Sequence, residues 1–113
     1  MYTLYGIRNC DTVKKARRWL EAHHLEYEFR DMRKPPLESK EIQALAGRAN
    51  WQTLLNKKSR TWRDLPDSDK DSINKSSAID LMQQQPTLIK RPVLVNDKII
   101  LIGFDEAAYK NLP

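Results

Sequence analysis

Residues 2–30 read YTLYGIRNCDTVKKARRWLEAHHLEYEFR, and three patterns in this stretch decide the fold. Residues 2–5 alternate, with Tyr2 and Leu4 on one face and Thr3 and Tyr5 on the other, which is the period of a strand. Residues 6–9 predict a turn. Val13, Ala16, Trp19, Leu20 and His23 then recur at intervals of three and four, giving a helix one apolar stripe. Its other faces carry Lys14, Lys15, Arg17 and Arg18. Asp11 or Thr12 is the expected N-cap, because a side-chain oxygen there can accept from an orphan backbone N–H. Residues 27–30 predict a second strand. A strand, a helix of about 12 residues and a strand form a βαβ unit, and such crossovers are almost always right-handed.

Outward from that unit the character changes twice. Pro35-Pro36 ends it, and residues 38–48 have helical spacing at Ile42, Leu45 and Ala46, with Ser39 as the expected cap. Residues 51–55 and 61–65 predict short helical pieces stopped by Pro66. The polar stretch 66–77 predicts a mobile loop, and residues 78–85 return to helix before Pro86. The last third reads as a hairpin, residues 92–95 and 98–102 around Asn96-Asp97. Asp105 is then placed to cap a helix over 106–111, before Pro113. The order is β-α-β, a helical insert at about 37–85, then β-β-α. That is an α/β chain with one mixed four-stranded sheet, the order of the thioredoxin fold with a helical block added.

Length and composition bound the rest. A chain of 113 residues predicts one domain, 1–113. Twenty basic residues against 15 acidic ones leave a net charge of +5, which favours an anionic partner. The longest apolar runs, such as Ile99-Ile100-Leu101-Ile102, are far short of the ~20 residues that span a bilayer. The first residues carry neither a basic region nor a long apolar one, so no signal peptide is expected. One cysteine, Cys10, leaves no partner for an internal disulfide, and no Cys/His group has zinc-ligand spacing. A reducing compartment, the cytoplasm, fits that usage.

Cys10 is the residue on which chemistry turns. Most lone cysteines are small buried hydrophobes. This one follows a strand and sits at the N-terminal edge of a helix, where unpaired N–H groups and the macrodipole favour an anion. Lys14, one turn on, is the expected second cation. Such settings bring a thiol pKa from ~8.5 down to roughly 3.5–7.5 and make thiolate available near neutral pH. Arg91, just before Pro92, carries the planar fork suited to carboxylates and oxyanions, although a loop arginine is more often simply solvated. Whether the Arg91–Pro92 bond is cis is open from the dipeptide, since only ~5% of such bonds are. His23-His24 reads as a helix end, Asp31 and Arg33 as a pair or as solvated charge, and no metal site is expected.

Tyr5-Gly6-Ile7-Arg8-Asn9-Cys10-Asp11-Thr12, Lys15-Ala16-Arg17-Arg18-Trp19-Leu20 and Pro86-Thr87-Leu88-Ile89-Lys90-Arg91-Pro92-Val93 together resemble the arsenate-reductase-like family. Leu54-Leu55-Asn56-Lys57-Lys58 and the Gly103-Phe104 approach to the last helix extend the likeness nearly end to end. That family includes ArsC-type arsenate reductases, Spx transcriptional regulators and YffB-type proteins, and the chain looks most like the YffB branch. The resemblance implies a thioredoxin-like fold in which Cys10 is the nucleophile. It makes Asp11 and Thr12 part of the substrate loop, Pro92 a facing cis-proline and Arg91 the anion-binding arginine. It also implies glutathione as co-substrate, with glutaredoxin as a further partner and no bound cofactor. A monothiol agrees, since its mixed disulfide must be resolved by an external thiol.

Departures from the family pattern narrow this. ArsC-type reductases hold arsenate with three arginines, and only Arg91 matches. Asn56 stands at the position in the insert and Gly103 at the one near the last strand, so an oxyanion loses two directional partners. Lys57 or Lys58 restores charge there without the fork. Val13 stands where the second cysteine of the Cys-x-x-Cys usual in Spx would be, which excludes that disulfide switch. A glutathione-dependent thiol oxidoreductase is the leading expectation. The alternative is an Spx-like regulator that binds RNA polymerase without catalysis, favoured by the likeness of residues 102–113. Direct nucleic-acid binding through the basic clusters at residues 14–18, 57–60 and 90–91 is the weakest reading; Trp51 and Trp62 read as core.

Overall fold

In the computed structural model, which describes residues 1–112, the N-terminal pattern forms as its spacing dictates. It gives β1 (Tyr2–Gly6), α1 (Asp11–Ala22) and β2 (Tyr27–Asp31). Two further strands, β3 (Val93–Val95) and β4 (Ile100–Ile102), form the hairpin. The sheet order is β2-β1-β3-β4, with β1 parallel to β2 and antiparallel to β3. This is the mixed four-stranded sheet of the thioredoxin-like fold. The hairpin turns on Asp97-Lys98, one residue later than the sequence suggests. Asn96 explains the displacement: its Oδ1 accepts from Lys98 N at 2.9 Å and Ile99 N at 3.0 Å, while Asn96 N donates to Ile99 O.

The chain forms two compact units, with the break before Pro36 and after Lys90. In the sheet unit, Tyr2, Leu4, Ala16, Leu20, Leu94 and Tyr109 are buried in one cluster. Burial of each leucine among them supplies roughly 1.5–3 kcal/mol. The last helix, here α2 (Glu106–Lys110), brings Tyr109 edge-on to Trp19 at 5.4 Å and to Phe104 at 4.8 Å. Asp105 Oδ1 caps it by accepting from Ala107 N at 3.1 Å. Pro113, expected to follow this helix, lies outside the described residues.

At the start of α1 the expected cap is corrected. Cys10, not Asp11 or Thr12, is the N-cap: its backbone is extended and its carbonyl accepts from Lys14 N at 3.0 Å. Asp11 and Thr12 are therefore exposed residues of the first turn. At the other end His23 Nδ1 lies 2.8 Å from Trp19 O, and its ring stacks on the indole at 3.8 Å.

The second unit is helical: α3 (Ser39–Ala49), α4 (Trp51–Leu54), α5 (Arg60–Arg63), α6 (Asp67–Asp71) and α7 (Lys75–Gln84), then a 3-10 turn at Pro86–Leu88. Glu38 rather than Ser39 caps α3, its N–H donating to Glu41 Oε1 at 3.0 Å. The expected mobile loop at 66–77 is mostly helix. Pro66 O receives Asp69 N and Lys70 N, and Asn74 caps α7 reciprocally with Ser77 at 2.9 and 3.0 Å. Polar α6 has no apolar stripe, which is why periodicity missed it. The compact helical unit spans Pro36–Lys90. A Leu55–Ile89 bridge, Lys90 N to Leu54 O at 2.9 Å and a Thr61–Thr87 hydroxyl pair at 2.6 Å hold its last residues. Among the described residues no helix is long and apolar enough to cross a membrane.

One glycine carries a steric constraint. A Cβ built on Gly6, at the end of β1, would lie 2.9 Å from both γ-carbons of buried Val13 in α1. Gly6→Ala is expected to destabilise the protein by about 1–3 kcal/mol through overpacking, read as a lower midpoint in urea unfolding. A smaller cost would show that α1 can shift away from the strand.

Candidate functional site

The antiparallel register of β1 with β3 pairs Tyr5 with Val93, so the residues after Tyr5 run alongside those before Val93. That register carries the loop at residues 7–10 toward Arg91 and Pro92. The Arg91–Pro92 bond is cis, as is Lys34–Pro35. Pro92 is buried and its carbonyl accepts from Gly103 N at 2.7 Å, where Gly103 holds φ +82. Ile7 is buried, Arg8 and Asn9 are exposed, and Cys10 is a half-buried free thiol.

Five influences act on that thiol. Burial pushes its pKa up and is the largest single effect. The Val13 amide, a hydrogen-bonding approach of the Arg91 guanidinium, the Thr12 amide and the Arg91 charge together outweigh burial and hold it below its ordinary value. None of these amides closes a side-chain cap hydrogen bond. They act as oriented dipoles, and that attraction strengthens when the sulfur is charged. Thiolate is the form so favoured.

The structure places the other sequence candidates as follows. Asp11 and Thr12 flank the thiol on the first turn of α1, and Thr12 acts through its amide. Lys14 is exposed, and its link to Cys10 is its backbone N–H on the Cys10 carbonyl; its ammonium is not among the groups that lower the pKa. Asn56 and Lys57 belong to the helical unit. There Asn56 Oδ1 accepts from Lys58 N at 3.1 Å, Asn56 N donates to Leu88 O at 2.7 Å, and the Lys57 ammonium stands 5.5 Å from the Trp62 ring centroid.

Sequence reasoning overlooked a neighbouring feature. Ile7, Arg8, Asn9, Asp31, Arg33 and Lys34 line a cavity of about 410 Å³ in the sheet unit. Asp31 lies 3.7 Å from Arg8 Nε, and its Oδ1 accepts the Arg33 backbone N–H at 2.8 Å. The Asp31–Arg33 proximity foreseen from sequence is thus a backbone contact. Among the described residues no group of acidic, His or Cys side chains could hold a metal ion.

The model of the ArsC family matches residues 5–112. This chain belongs to the ArsC family. Its fold matches that of the YffB protein with a TM-score of 0.92 at 40% identity, over 97% of this chain and 96% of that one. An arsenate reductase (ArsC) related protein from Brucella melitensis is 41% identical, with a TM-score of 0.80 over 96% and 91% of the two chains. The global transcriptional regulator Spx of Listeria innocua is 32% identical over 94% of this chain and 82% of that one. For an ArsC-family chain the half-buried thiol beside a guanidinium has a measurable consequence. Arg91→Ala removes a lowering influence, so the Cys10 pKa must rise. The pH midpoint of iodoacetamide alkylation is expected to move up in Arg91→Ala and by much less in Lys14→Ala. The reverse ranking would assign the activation to Lys14.

Proposed function

We propose that this ArsC-family protein is a thiol oxidoreductase that uses glutathione, acting in a reducing compartment such as the cytoplasm. The observation that carries the reading is the convergence of the Val13 and Thr12 amides and Arg91 on one half-buried thiol. Cys10 thiolate attacks the glutathione sulfur of a protein–glutathione mixed disulfide. A Cys10–glutathione disulfide forms and the protein thiolate leaves. A second glutathione thiolate then attacks that glutathione sulfur, releasing oxidised glutathione and Cys10 thiolate. The chain has no other cysteine, so the resolving thiol comes from outside, from glutathione or glutaredoxin. Arg91 stabilises Cys10 both as attacking thiolate and as leaving group. Pro92, beside the loop, supports an extended peptide segment through the neighbouring backbone.

Arsenate is a poor fit to this site. Of the three arginine positions that the family likeness suggests, only Arg91 is filled. Asn56 already spends its side-chain oxygen on the Lys58 amide, and Gly103 has no side chain. Lys57 sits over the Trp62 ring.

The 32% identity to Spx across 94% of this chain supports a second reading, a regulator that contacts RNA polymerase. Val13 in place of a second cysteine means that such a regulator would not switch by an internal disulfide.

One assay separates the two. Cys10→Ser should abolish reduction of a glutathionylated protein by glutathione while leaving the fold intact by circular dichroism. Turnover that survives Cys10→Ser overturns the oxidoreductase reading. Recovery of RNA polymerase subunits by both wild type and Cys10→Ser, with no turnover in either, would establish the regulator.

A further inference from the structure

The cavity at the ends of β1 and β2 supplies none of the groups that lower the Cys10 pKa, yet its lining is strongly charged. Three cationic side chains and one carboxylate line it, so an empty cavity carries about two net positive charges. Asp31 is not available to balance both. Its side chain is only 15% exposed, it faces Arg8 Nε at 3.7 Å, and its Oδ1 already accepts the Arg33 N–H. Arg8 is held in turn over the Phe29 ring at 5.2 Å.

The loop that presents Arg33 and Lys34 is fixed from below. Met32 N donates to Gly6 O at 2.9 Å, and Arg30 donates through Nη1 to the carbonyls of Asp31 and Pro35. Arg33 and Lys34 therefore stand on a held backbone, and an anion meets cations whose main chain is already in place. Asn9 lines the cavity and is bonded to Cys10, which puts the cavity one residue step, about 3.8 Å between Cα atoms, from the nucleophile's own residue. A tripeptide extended from a sulfur at Cys10 reaches roughly 10 Å.

We infer that this cavity is a carboxylate subsite, in which Arg33 and Lys34, with Arg8, bind a terminal carboxylate of the thiol peptide that reacts at Cys10. The inference rests on the glutathione reading above and adds the residues that select the peptide. Asp31 is a positioning residue, which orders Arg8 and the Arg33 amide. Glutathione carries two carboxylates, one on its glycine and one on its γ-glutamyl end, and both have the chemistry this cavity recognises.

The test compares reductants in the Cys10 turnover assay. With wild-type protein, glutathione should outperform a neutral thiol of the 2-mercaptoethanol type at equal thiolate concentration. Arg33→Ala/Lys34→Ala should raise KM for glutathione roughly five- to tenfold and reduce its salt dependence, while KM for 2-mercaptoethanol, which has no carboxylate, moves by less than about twofold. Glutathione esterified at glycine, and cysteinylglycine without the γ-glutamyl carboxylate, identify the carboxylate on unaltered protein: the source is the one whose loss raises KM. A KM within twofold in the double variant overturns the subsite and leaves the glutathione reading standing, as does equal KM for both analogues and glutathione. Wild-type protein that makes no use of glutathione at all overturns both.

Discussion

The structure depends on how closely the first turn of α1 approaches the end of β1. Gly6 has no Cβ, and Val13 fills the space where one would stand, at 2.9 Å from both γ-carbons. That approach sets the helix start against the sheet, with Cys10 as N-cap and the Val13 and Thr12 amides turned toward its sulfur. The sheet then contributes its own constraint. β1 is flanked on one side by β2 and on the other by β3. The β2 end supplies the cation-lined cavity, and the approach to β3 supplies Arg91. Cationic side chains thus reach the end of one strand from the side of each of its neighbours.

Charge acts at this site through position more than through number. The chain is rich in lysine and arginine, yet the one guanidinium that lowers the Cys10 pKa comes from a residue 81 positions away in sequence, Arg91. Lys14, nearer in sequence, points its ammonium into solvent, where a charge is screened within about 10 Å. Amide dipoles and one half-buried guanidinium outweigh the desolvation of the thiol because both are fixed before any ligand arrives.

Much of this was legible in the residues. The alternation over residues 2–5 and the stripe Val13, Ala16, Trp19 and Leu20 place β1 and α1, and the apolar runs at 92–95 and 98–102 place the hairpin with its turn one residue early. Cys10 and Arg91 stand out in the sequence alone, one at a helix start and the other before a proline, and the fold brings Arg91 to the Cys10 thiol. The failures share a cause. Asp67–Asp71 is polar on every side, so no periodicity announces it, and it is recognised only by the bonds that Pro66 O accepts. Cys10 caps α1 through its backbone, so no side-chain oxygen in the sequence marks the helix start. The cavity at Asp31 depends on register: Gly6 pairs with Asp31, and no local pattern states which residues two parallel strands bring side by side.

The pairing of Leu4 with Leu94 bears on how the protein is made. β1 leaves the ribosome early, but its antiparallel neighbour does not exist until synthesis has passed residue 95. The whole helical unit is produced in between. Closing a loop of that length carries an entropic cost that grows only as the logarithm of its length, so delay more than free energy is what it imposes. A nascent chain can complete β1, α1 and β2 while its thiol still lacks the guanidinium. The Val13 and Thr12 amides are then already beside the sulfur, and only the share of the pKa lowering that comes from Arg91 waits for the strand that completes the sheet.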